Sequence, residues 1–173
     1  AGQRVPRMTD VYAILRAHPR RRLYIDIKNV DLPQLAREAG PAASPLILAS
    51  TDYDVIRRWM ALAPASATLH WMGGTVESLA ARIAALRTSD FASIRQLQIH
   101  VRVKDGVMTP SPEFLLKTGA ELRSHGILFQ VLPWDSRDPA LFRRLMDLGA
   151  ASFATDYPGV LMRTIREYYS EKP

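Results

Sequence analysis

Apolar and polar positions alternate along short segments of this chain. Each of these segments is followed by one in which apolar residues recur at helical spacing. Successive side chains of a strand point to opposite faces, so a period of two predicts a strand. Apolar residues three and four apart predict amphipathic helices. The alternation is clearest over 96–103. The segments predicted as strands are 23–28, 46–49, 68–72, 96–103, 127–132 and 151–154.

Capping and helix-breaking residues mark the helices between these strands. Thr9-Asp10 begins a helix that Pro19 stops, and Thr75 begins another. The segment 104–110 is predicted to be a loop, and Ser111-Pro112-Glu113 begins the helix after it. Strict alternation of strand and helix favours a parallel α/β sheet.

Polar side chains on one face of several predicted strands help to decide between two parallel architectures. Central strands of an open doubly wound sheet are covered on both sides and are almost continuously apolar. Here Asp26, His100 and Gln130 interrupt that pattern. A TIM-type (β/α) barrel tolerates polar groups where its interior becomes a site. We therefore predict such a barrel, with about six of its eight βα units in 1–173 as one incomplete domain lacking the N-terminal units.

The composition of the chain reduces the number of functional classes that fit it. Of the 173 residues, 47% are hydrophobic and 23% charged, and the net charge is +6. The arginine clusters are short, scattered and not interleaved with aromatic residues, which favours a solvated surface over a nucleic-acid interface. Cysteine is absent, and no apolar run reaches the roughly 20 residues of a membrane span. The N-terminus does not resemble a signal peptide, although a signal could have been removed with any preceding segment. A soluble protein is expected, and its compartment, cytoplasmic or exported, stays open.

Asp26 and Lys28 lie side by side on one face of the first predicted strand. A charge in a sheet needs a partner, so they form either a structural ion pair or part of a site for an anion and a metal. Similar groups end the other strands and would suit a phosphate ester. These candidates are Ser50, Asp52, Met72, Gly73, Gly74, His100, Arg102, Lys104, Trp134, Asp135 and Asp156.

Each candidate also has a structural explanation. His70 and His100 would more often be satisfied core histidines than catalysts. Asp52 and Asp156 would cap the helices that follow them, and Trp134 would serve packing. No glycine-rich phosphate loop and no zinc-type His/Cys spacing occurs.

Three segments together resemble the glycerophosphodiester phosphodiesterase family. Gln3–Val11 resembles its "E-R-I-P-T-L-x-E-V" lead, and Tyr24–Lys28 resembles its "I-E-I-K" strand. Segments 120–138 and 149–158, which end in Thr155-Asp156-Tyr157-Pro158, resemble its last two strands. The resemblance implies metal-dependent hydrolysis of a glycerophosphodiester to glycerol phosphate and an alcohol, a reaction of glycerophospholipid metabolism.

The resemblance also implies roles for individual residues. Asp26 would bind a divalent cation, Mg or Ca, and Lys28 the phosphate, while Trp134 and Asp156 would contact substrate. Asp26 is one methylene shorter than the family's Glu, and Trp134 stands two positions later than the family's Trp. The family's catalytic histidines and its Glu-x-Asp ligands precede its second helix and match nothing here, so no catalytic residue is predicted in this chain.

Three functions therefore remain open. One is a phosphodiesterase whose barrel an N-terminal fragment or a second chain completes. Another is a non-catalytic phosphate-binding or scaffold module derived from the same barrel. The third is a different phosphate-handling barrel enzyme, for which the ordered motifs would be a coincidence.

Overall fold

Parallel strands alternate with helices in the computed structural model, which describes residues 4–172. Gln3, the first residue of the predicted lead motif, lies outside this range. The chain divides into two compact units. The first unit runs to His70 and includes Ala92–Arg95, and the second comprises Trp71–Phe91 and the chain from Gln96 onward.

The first unit has three parallel strands in the order β1-β2-β3. The register places Ile25 beside Leu48 and Leu48 beside Thr68. A short 3-10 helix, Gly40–Ala43, precedes the second strand. Its elements are α1 (Met8–Ala17), β1 (Leu23–Asp26), α2 (Leu32–Ala39), β2 (Leu46–Ser50), α3 (Tyr53–Leu62) and β3 (Ala67–Met72, whose last two residues belong to the second unit).

The core of the first unit is formed by the helix-facing side chains of these strands and by large aromatic residues. Leu46 and Leu48 are fully buried, and so is Trp59 of α3. In α1 the buried residues are Tyr12 and Leu15, whereas the apolar Ile14 is 52% exposed.

The second unit has β4, β6 and β7 parallel in that order, and β5 antiparallel to the end of β4. Leu97, Ile99 and Val101 are buried, as the alternation over 96–103 predicts. Its remaining elements are α4 (Val76–Arg87), β4 (Gln96–Lys104), β5 (Val107–Thr109), α5 (Pro112–Ser124), β6 (Leu128–Pro133), α6 (Pro139–Asp147), β7 (Ser152–Phe153) and α7 (Pro158–Ser170). Among the helices of residues 4–172, none combines the length and the apolar character needed to cross a membrane.

The prediction of a loop after Val103 was wrong, because β4 turns directly into β5. Arg102 pairs with Thr109 and Lys104 with Val107. Asp105 and Gly106 form the turn with φ of 50° and 76°. Two consecutive left-handed residues make a two-residue hairpin turn, for which Asp-Gly is a strong sequence signal.

The predicted fold class is confirmed. The six predicted strands are present, and the pairs β1–β2, β2–β3, β4–β6 and β6–β7 are parallel. All of these strands except β4, which turns into β5, lead directly into a helix, as in a portion of a TIM-type α/β barrel. Asp31, Asp52, Thr75, Ser111 and Asp138 each cap the helix that follows, by accepting a backbone N–H.

An ion pair joins α4 to α5 and gives the second unit an acid-sensitive contact. Arg87 Nη2 donates to Glu121 Oε2 at 2.7 Å, and Arg87 Nε donates to Oε1. The hydrogen bonds from Arg87 lower the pKa of Glu121. A carboxylate with a lowered pKa contributes stability above its unfolded pKa and loses it as the pH falls through the folded pKa.

Glu121→Gln is therefore expected to lower the free energy of unfolding by about 0.5–1 kcal/mol at pH 7. Below the ordinary glutamate pKa of about 4.3 the difference between variant and wild type should shrink progressively, because Glu121 then takes up a proton when the wild type unfolds. Urea unfolding at pH 7 and pH 3.5 measures both differences. A difference that is independent of pH would contradict an ionic contribution.

Candidate functional site

Asp26 and Lys28 form an exposed ion pair at the end of β1. Lys28 Nζ donates to Asp26 Oδ2 at 2.8 Å. The Lys28 side chain is 78% exposed and the Asp26 side chain 55% exposed. The pair predicted from the alternation is therefore present. Both groups remain accessible to a ligand, and a pair this exposed contributes little to stability.

A metal ion needs more ligands than Asp26 offers. Ca²⁺ takes about six to eight oxygen ligands, and Mg²⁺ requires octahedral geometry. Within residues 4–172, no three His, Asp or Glu side chains are grouped so that they could hold a metal ion. The donor set of the described residues thus does not by itself fit the divalent cation that the resemblance implies.

Three ring systems and an arginine meet at the C-terminal ends of the strands in the second unit. We call Trp71, His100, Arg102 and Trp134 the aromatic cluster. The rings of Trp71 and His100 stack with centroids 5.1 Å apart and planes 11° apart. The Trp134 ring meets His100 edge-on at 5.5 Å, and Arg102 Cζ lies 5.0 Å from the centroid of the Trp134 ring.

Backbone contacts hold the cluster in place. Arg82 Nη2 of α4 donates to the Trp71 carbonyl at 3.3 Å, and Trp134 N donates to the carbonyl of Val101 at 2.9 Å. A Cβ atom at Gly73 would lie 2.9 Å from His100 Nδ1. Glycine at position 73 is therefore what lets the His100 ring lie against the end of β3.

His100 has a lowered pKa. Burial is the largest cause, and the positive charges of Arg102 and Arg82 lower the pKa further. The imidazole is therefore neutral at pH 7, with one nitrogen able to donate and the other able to accept a hydrogen bond.

The loops after β6 and β7 are joined through Tyr157. Its hydroxyl donates to Asp135 Oδ1 at 2.6 Å, and Arg137 Cζ lies 4.2 Å from its ring centroid. The Thr155 hydroxyl accepts from Tyr157 N at 3.0 Å. Asp156, between them in sequence, is exposed, and the N-cap of α7 is Tyr157. Asp156 is therefore not the helix cap that its structural explanation required.

A cavity of about 370 Å³ borders the other side of Trp134. Strand alternation places its Val101 and Val103 on the face of β4 opposite His100. Trp134, which is 48% exposed, therefore belongs both to the lining of this cavity and to the aromatic cluster. The remaining lining residues are Met108, Asp135, Ser136, Asp138, Ala140, Leu141 and Arg144.

Other candidates have structural roles. His70 is 3% exposed and lies 3.1 Å from the Ser50 carbonyl through Nδ1, as expected for a satisfied core histidine. Asp52 caps α3 by accepting from Asp54 N at 2.8 Å. The structural explanation is therefore confirmed for both.

Sequence reasoning missed Trp71, Arg82 and Tyr157. Trp71 directly precedes the predicted strand end at Met72, so a strand-end list one residue longer would have included it. Tyr157 lies inside the Thr155–Pro158 motif. Arg82 lies on a helix, and no local signal indicates its contact with Trp71.

Comparison with known proteins yields structural likeness only. No family model and no curated protein matches the sequence. A glycerophosphodiester phosphodiesterase from Parabacteroides distasonis matches 99% of this chain and 67% of its own, with 18% identity and a TM-score of 0.60. A putative glycerophosphoryl diester phosphodiesterase from Silicibacter pomeroyi matches 94% of this chain and 57% of its own, with 16% identity and a TM-score of 0.68.

A third solved structure, a phosphodiesterase from Oleispira antarctica in complex with the product sn-glycerol-3-phosphate, matches 93% of this chain. Its identity is 16%, its TM-score 0.59, and 61% of its own chain is covered. This chain therefore spans 57% to 67% of the length of these three proteins. The likeness confirms, at the level of fold, the resemblance predicted from the motifs.

Proposed function

We propose that this chain belongs to a glycerophosphodiester phosphodiesterase and supplies substrate-binding groups for hydrolysis to glycerol phosphate and an alcohol. The observation that carries the proposal is the fold likeness over 93% to 99% of the chain. One of these neighbours holds sn-glycerol-3-phosphate. The sequence motifs, which are independent of that search, favour the same family.

Lys28 is the proposed phosphate ligand. Its side chain is 78% exposed, and its ammonium group is oriented by Asp26 at 2.8 Å. An ammonium group held this way stabilises the charge on the non-bridging oxygens as the diester bond breaks. Trp134 offers a half-exposed ring to the apolar side of the substrate, and the exposed Asp156 carboxylate can accept hydrogen bonds from hydroxyl groups.

The divalent cation stays a prediction, with Asp26 as its proposed ligand in this chain. Such a cation would neutralise phosphate charge as a Lewis acid. Because the described donors do not form a metal centre, none of the roles above depends on it. We assign no residue of this chain as the catalytic acid or base.

Incubation of the full-length protein with glycerophosphoglycerol tests the proposal. We expect release of sn-glycerol-3-phosphate in the presence of Mg²⁺ or Ca²⁺ and no release in EDTA. A coupled dehydrogenase assay measures the sn-glycerol-3-phosphate that is released. The same reaction without protein is the control. Binding of the diester without any release would instead favour the non-catalytic phosphate-binding module.

A further inference from the structure

One face of the β4–β5 hairpin carries unneutralised positive charge. His100, Arg102 and Lys104 are two residues apart and share this face of β4. Arg102 and Lys104 are exposed, and neither forms an ion pair within residues 4–172. By contrast, Lys28 and Arg87 each contact a carboxylate.

The Trp134 ring positions the Arg102 guanidinium. Arg102 Cζ lies over the ring, 5.0 Å from its centroid. A guanidinium held over a ring retains N–H groups that can donate to a planar or tetrahedral oxyanion. The same Trp134 ring touches His100 edge-on, so one indole orders two neighbouring donors.

Among residues 4–172, the charged groups that shift the pKa of His100 are two cations. Arg102 faces it from β4 and Arg82 from α4, and both lower its pKa. Trp71 from β3 and Trp134 from the turn after β6 are uncharged. Asp135, next to Trp134 in the chain, already accepts from the Tyr157 hydroxyl at 2.6 Å.

We propose that His100, Arg102 and Lys104 form a binding site for a phosphate monoester dianion, with Trp134 as its wall. Two exposed cations match the two charges of the dianion, and the neutral imidazole adds a hydrogen-bond donor. The site extends beyond the proposed function, which assigns the reacting diester to Lys28. It does not require that the chain hydrolyses anything.

The imidazole signals of the four histidines provide a local measurement. Inorganic phosphate is titrated at pH 7.5 and constant ionic strength into the full-length protein, and His100 is assigned by His100→Gln. A saturable shift of the His100 signal is expected, with a dissociation constant on the order of 1 mM. Bound phosphate should also raise the pKa of His100, because the dianion stabilises the imidazolium.

Charge-neutralising variants locate the site. Arg102→Gln and Lys104→Gln should each weaken binding at least about tenfold, the loss of one charge-assisted hydrogen bond. Arg163→Gln removes the same charge from the exposed side of α7 and should bind as the wild type does. Equal weakening by all three variants, or no saturable His100 shift, would overturn the proposal.

Titrations with further ligands distinguish an organic phosphate monoester from free phosphate as the ligand of this site. Tighter binding of sn-glycerol-3-phosphate than of inorganic phosphate would support an organic monoester, and equal binding would support free phosphate. Equally tight binding of glycerophosphoglycerol, a monoanion, would contradict the dianion assignment. If the protein shows the His100 shift but releases no glycerol phosphate, the phosphate site is supported and the proposed hydrolysis is contradicted.

Discussion

Asp26→Ala is expected to abolish release of sn-glycerol-3-phosphate by the full-length protein. The substitution removes the carboxylate that orients Lys28 at 2.8 Å and removes the proposed cation ligand. Loss of a group that positions transition-state charge typically costs on the order of a hundredfold or more in rate. The coupled dehydrogenase assay measures the loss.

Exposure of the Asp26–Lys28 pair makes this result interpretable. The side chains are 55% and 78% exposed, so the free energy of unfolding should fall by less than about 1 kcal/mol. Asp26→Asn tests the charge at constant size and should be as inactive as Asp26→Ala. Asp26→Glu restores the family's residue and should remain active. Unchanged activity in Asp26→Ala would contradict both roles of this carboxylate.

Trp59→Ala is expected to destabilise the first unit by about 3–5 kcal/mol. Trp59 is fully buried in α3, and truncation would remove its apolar contacts and leave a cavity. A loss of this size approaches the whole stability of many domains. Urea unfolding followed by far-UV circular dichroism measures it without relying on tryptophan fluorescence.

Trp59→Phe is the matched control. The Trp59 Nε1 atom is buried and donates to no group in the part of the chain that the structure describes. Phenylalanine therefore gives up packing volume but no hydrogen bond, and the loss should be clearly smaller than for alanine. Equal losses in the two variants would indicate that Nε1 has a partner of energetic importance.

Local signals were sufficient for most elements of the fold. Thr75 and Ser111 cap the helices that the sequence places after them. The alternation in Gln96–Val103 predicts the buried face of β4 as far as Val101, whereas Val103 on the same face is 47% exposed. The β4–β5 hairpin was missed because its second strand has only three residues. In α1, packing selects Tyr12 over Ile14, a tertiary preference that helical spacing does not contain.

The candidate site was predicted in part. The alternation predicted over 23–28 places Asp26 and Lys28 on one face, and the two side chains do pair, although β1 ends at Asp26 and Lys28 lies in the bend that follows. The aromatic cluster depends on the spatial order of strands, which brings Trp71, His100 and Trp134 together from distant points of the chain. Sequence spacing carries no information about such ring contacts, and Arg82 adds a contact from a helix surface.

Gly73 has an evolutionary consequence. Because a Cβ atom there would come within 2.9 Å of His100 Nδ1, the two positions are constrained as a pair. Descendants of this sequence that keep histidine at position 100 should keep glycine at position 73. Alanine at position 73 should become acceptable only in lineages where a smaller residue has already replaced the histidine, so the order of the two substitutions is restricted.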